Sequence, residues 1–117
     1  MNENTLIGSW CEDGEARLVT FVVRGNRIVI REKLSGPWVE LVYGRPTTRS
    51  EVWLNKHQFL EALGDSYVVA QLGSCDAEIE GYIQEILRDE ISKDCYLVDF
   101  AQGCEAQGIT CRYKVVV

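Results

Sequence analysis

Two β-branched runs, residues 16–24 (ARLVTFVVR) and 27–33 (RIVIREK), flank the dipeptide Gly25-Asn26. Such runs resist helix, and Gly-Asn tolerates positive φ, so the segment predicts a hairpin with a two-residue turn. The turn sets a register in which Arg24 faces Arg27 and Val23 faces Ile28. One face then carries Val19, Phe21, Val23, Ile28 and Ile30, a core face. The other carries Thr20, Val22, Arg24, Arg27, Val29, Arg31 and Lys33. Two arginines directly opposed are tolerable only where water or an anion screens them. This basic face is therefore expected to look outward, to solvent or to a partner.

Further short strands are expected near 6–10, 38–43 and 51–54, separated by Glu12-Asp13-Gly14, Ser35-Gly36-Pro37 and Gly44-Arg45-Pro46. Beyond residue 54 the period changes. Asn55 with Gln58 resembles a capping box, and Gly64 closes a short helix over 55–63. The strongest helical pattern spans 75–91, where Ile79, Tyr82, Ile83, Ile86 and Leu87 make one stripe, capped by Ser74 or Asp76. Residues 67–72, 95–100 and 111–117 read as strands, with 101–110 as a loop. These elements define an α+β fold: an antiparallel β-meander sheet with two helices, about 55–63 and 75–91, packed on one face.

At 117 residues, with 46% hydrophobic and 26% charged side chains, the chain suits a single globular domain over 1–117. No stretch approaches the roughly 20 apolar residues of a membrane helix. Residues 1–5 lack a basic and then apolar segment, so the expected compartment is cytoplasmic. Five cysteines at irregular spacing, with no Cys-x-x-Cys, suggest reduced thiols, neither a disulfide framework nor a metal site.

Charge is uneven along the chain. Residues 1–58 hold eight Lys/Arg against seven Asp/Glu, and residues 59–117 hold four against eleven. The acidic half argues against nucleic acid as a ligand, since phosphates repel it, and is compatible with a basic protein partner. On the long helix the face opposite the apolar stripe carries Glu78, Glu80 and Glu85, with Asp89 beside it. This face is the first expected docking surface. The basic hairpin face of Arg24, Arg27, Arg31 and Lys33 is the alternative.

Other residues are singled out one by one. His57 falls opposite the buried stripe of its helix and has no evident catalytic partner. Cys104 is expected in the 101–110 loop as an exposed, reactive thiol. Asp99, in a strand, is either an edge guard or a cavity-lining carboxylate. Glu90 falls inside the apolar arc of the long helix: either the helix frays before it and the carboxylate reaches water, or it stands at the edge of a pocket or pairs with a basic residue of the sheet. Gly8-Ser9-Trp10 ahead of a meander is similar to the Gly-x-Trp entry of lipocalin-like barrels, but the long helix breaks the eight-strand pattern and no family is assigned. No phosphate loop, dinucleotide glycine pattern or calcium loop occurs, and no cofactor is implied. The expected function is that of a small acidic interaction protein, of inhibitor or immunity type, binding another protein. The alternative is a module, lipocalin-like or α+β and compatible with a homodimer, that holds a small apolar molecule. An unrecognised enzyme ranks third.

Overall fold

A computed structural model describes residues 4–73 and 75–116. Its order is β1 (Thr5–Glu12), β2 (Glu15–Arg24), β3 (Arg27–Ser35), α1 (Pro37–Tyr43), β4 (Thr47–Asn55), α2 (Lys56–Leu63), α3 (Ser66–Leu72), α4 (Asp76–Glu90), α5 (Leu97–Ala106) and β5 (Cys111–Val116). The strands form one antiparallel sheet in the order β1-β2-β3-β4-β5. Four strands follow as a meander, and the fifth returns after four consecutive helices to pair with β4. The fold is α+β, as the periodicities imply, and it is an open sheet without the closed eight-strand geometry of a lipocalin barrel.

The central hairpin has the expected register, with Arg24 opposite Arg27 and Val23 opposite Ile28. Only Gly25 of the turn takes positive φ. Asn26 instead holds the start of α2, accepting hydrogen bonds from Lys56 N on its carbonyl and from His57 N on its side chain. At the β1–β2 turn both Asp13 and Gly14 lie at positive φ, the mirror-image geometry that matches strand twist.

The core sits between the inner sheet face and the helices. Phe21, Ile28, Ile30, Val52 and Leu54 of the sheet meet Phe59 of α2, Ile83 and Leu87 of α4, and Leu97, Phe100 and Cys104 of α5. Burying each large side chain contributes about 1.5–3 kcal/mol. Asn55 caps α2 by accepting from Gln58 N, but Gln58 turns its own side chain to Thr110 N, so the capping box is only half formed.

Three expectations are corrected. Residues 38–43 form helix α1: Pro37 presets its first turn, Glu15 accepts a hydrogen bond from Trp38 N, and Gly44 ends it in the left-handed region. Residues 67–72 form helix α3, because Asp65 accepts from Tyr67 N and Val68 N at its start. Residues 95–100 and the expected loop 101–110 are largely replaced by helix α5. Its first N–H finds a partner in the sheet, where the Glu32 carboxylate accepts from Leu97 N at 3.1 Å. Of the two proposed caps of α4, Asp76 lies within the first turn and Cys75 holds the cap position, while Ser74 lies outside the described residues. No helix among the described residues is long and apolar enough to cross a membrane.

Candidate functional site

Among the described residues the helices pack on the inner sheet face and leave the outward face uncovered. Strand alternation and the observed registers place Arg24 of β2 there, with Arg27, Arg31 and Lys33 of β3, Arg49 of β4, and Arg112 and Lys114 of β5. These are seven of the 12 Lys and Arg of the chain. Glu51 is the one acid that shares the face among the described strand residues. The face is thus strongly positive in a protein of net charge −6. Glu51 accepts from Arg31 Nε at 3.0 Å and lies 3.9 Å from Lys114, which leaves the other cations without an acid of their own on this face.

An apolar row crosses the middle of the basic field. Val22 faces Val29, Val29 faces Trp53, and Trp53 faces Arg112. Val22 and Val29 are buried, and Arg24, Arg27 and Arg31 line the same depression as Val29. The guanidinium groups of Arg27 and Arg112 lie 4.8 and 5.5 Å from the Trp53 ring centroid. Beside this stack a half-open depression of about 670 Å³ is lined by Arg24, Arg27, Arg31, Trp53 and Lys114, with Asn26, Asn55 and Thr110 at one end. The arrangement offers planar cations, one aromatic ring and neutral hydrogen-bonding groups, the equipment for an extended anion carrying flat groups.

The inner face carries a different polar constellation that the sequence reading missed. Arg17 is buried, stacked against Trp10 and Tyr96 at 4.7 and 4.9 Å. It donates to Glu32 (2.8 Å), to the carbonyls of Ser92 (2.8 Å) and Lys93 (3.3 Å), and to that of Cys95 (2.6 Å). Glu32 also accepts from Leu97 N, and from Ser50 Oγ at 3.4 Å. The three carbonyls held by Arg17 and the Leu97 N–H held by Glu32 tie the 92–97 connection to the sheet. The signal was present: in the hairpin register positions 17 and 32 share the core face with Val19 and Ile30.

The remaining candidates scatter. Glu78, Glu85 and Asp89 are exposed on α4. Glu80 is not: it turns towards the sheet and accepts from Thr5 Oγ1 at 3.1 Å, on the same side as Gln84, which donates to Leu6 O. Glu90 is exposed to water, although α4 does not fray before it but runs through it to a buried Ile91, and it lies at the edge of neither depression. Asp99 is no edge guard, since its segment is helical; it sits in the first turn of α5 and lines a second groove. Cys104 is corrected as well. It lies on the buried side of α5, 1% exposed, and burial pushes its thiol up to about 12. Burial also raises Cys95, with Asp99 adding to it, and Cys111. His57 is exposed and pairs with Glu61 at 3.4 Å. Among the described residues no three His, Cys, Asp or Glu side chains are grouped to hold a metal ion.

No family model matches the chain, and no curated protein or solved structure matches it.

Proposed function

We propose that this protein is a binding module and that its ligand is a single-stranded polynucleotide held on the outward sheet face. The observation that carries the reading is the Arg27–Trp53–Arg112 stack set, among the described strand residues, in a field of seven cations and one acid. Proteins that hold single strands combine a basic surface for the phosphates with aromatic or guanidinium planes for the bases. An acidic protein segment would satisfy the cations but leave the flat stack without a use. The expectation that nucleic acid is excluded rested on charge averaged along the chain, and phosphates respond to the face they meet.

The test is fluorescence anisotropy with a labelled oligothymidine of about 12 nucleotides, titrated at several salt concentrations. Binding should weaken with salt at a logarithmic slope near −3, as about four phosphate contacts give on a single strand. The variants Arg27→Glu and Arg112→Glu should each weaken it by about tenfold or more, and Trp53→Ala by about fivefold or more. Absence of binding at 50 mM salt sinks the proposal. So does competition by polyglutamate equal to that by oligonucleotide, which transfers the face to an acidic protein.

A further inference from the structure

Opposite the basic face, where α1 and the start of α5 stand apart over the inner sheet, lies a half-open groove of about 630 Å³. Its walls are aromatic: Trp38 and Tyr43 from α1, Tyr96 ahead of α5, and Tyr113 from β5. Helix α1 buries only Val39, and Trp38 remains 62% exposed. Six carboxylates and two cations share the lining. Both cations are already neutralised from within it, Arg17 by Glu32 and Lys93 by Glu12 at 2.5 Å. Glu15 is committed to the α1 backbone. Asp13, Asp94 and Asp99 remain, with no cation within ion-pair distance among the described residues.

We infer that this groove is a second binding site, independent of the basic face, and that it takes a small organic cation with an apolar body, an alkyl- or arylammonium. Two properties point to that class together. Aromatic ring faces attract a weakly hydrated ammonium, and the surplus carboxylates supply the opposite charge that a neutral hydrocarbon ligand would leave unmatched. The volume falls in the range of small-molecule sites, and the rigid Arg17–Glu32 floor is formed before any ligand arrives. An anion would meet three uncompensated carboxylates and be repelled.

The experiment titrates the full chain with benzyltrimethylammonium and, separately, with neopentylbenzene, its uncharged isostere, followed by heteronuclear NMR of the indole N–H signals. Saturable shifts are expected at Trp38 and Trp10 and none at Trp53, which lies on the other face. The ammonium should bind about tenfold or more tightly than the isostere, as one desolvated cation–π contact with a carboxylate nearby supplies. Asp99→Asn and Trp38→Ala should each weaken binding by about fivefold or more, with unchanged thermal melting to show that both variants fold. Equal affinity for the neutral isostere overturns the inference, and so does shift at Trp53 alone or binding indifferent to both variants. Loss of oligonucleotide binding by Arg27→Glu leaves this site untouched, so the two readings fail separately.

Discussion

At the scale of single residues, Arg17 and Glu32 matter most. A buried ion pair contributes little net stability when intact, yet removing one partner strands the other charge in the interior. Arg17→Ala should therefore destabilise the fold by about 3–5 kcal/mol in urea titration, whereas Arg17→Met with Glu32→Leu should recover much of the loss. Unchanged stability in the single variant would mean that water reaches Glu32. Cys104 supplies a pH test. Its thiol ionises at about 12 in the folded chain against an ordinary 9.0, so the folded state keeps the proton longer. The associated stability is whole below pH 9.0 and is lost as pH rises from there towards 12. Cys104→Ala should flatten that alkaline decline, read by thermal melting across the range. Alkylation of the native protein should reach exposed Cys11 and Cys75 well before Cys104.

At the scale of elements, the apolar runs 38–43 and 67–72 became helices because their ends dictate it. Short runs rich in apolar residues suit a strand or a buried helix equally, and only the flanking caps discriminate. For α1 those caps are Gly36-Pro37 in front and Gly44 behind, and for α3 they are Asp65 and Gly73. Asp65→Ala should cost about 1 kcal/mol, lost as a hydrogen-bond acceptor for two backbone N–H groups. Gly36 stands at φ 133°, and a Cβ there would strike the Glu15 carboxylate that caps α1. Gly36→Ala should cost more than about 1 kcal/mol and should lower helix content locally, visible as loss of amide protection at 38–43. Retained protection would show that Pro37 alone starts the helix.

At the scale of the whole molecule, the fold separates charges that the chain mixes. Residues from four strands, the last of them far along the chain, converge as a basic face, while the acids of α4 and of the α1–α5 groove look elsewhere. Charge reversal at Glu85 and Asp89 to Lys should leave thermal stability within about 0.5 kcal/mol and should not weaken oligonucleotide binding, whereas Arg27→Glu should. A basic protein partner lost on reversal of Glu85 and Asp89 would restore the α4 face as the docking surface. The hairpin register, the helices near 55–63 and 75–91 and the outward aim of Arg24, Arg27, Arg31 and Lys33 were determined by the sequence alone, because two-fold and 3.6-fold alternation are local properties of a chain. The tertiary structure decided the rest. Helix α5 is held by a carboxylate 65 residues away at Glu32, Cys104 is buried by elements on both sides of it, and Arg112 reaches Trp53 only when β5 returns to pair with β4. Each depends on a contact between distant segments, and no local pattern encodes which distant side chain will supply the missing hydrogen bond or charge.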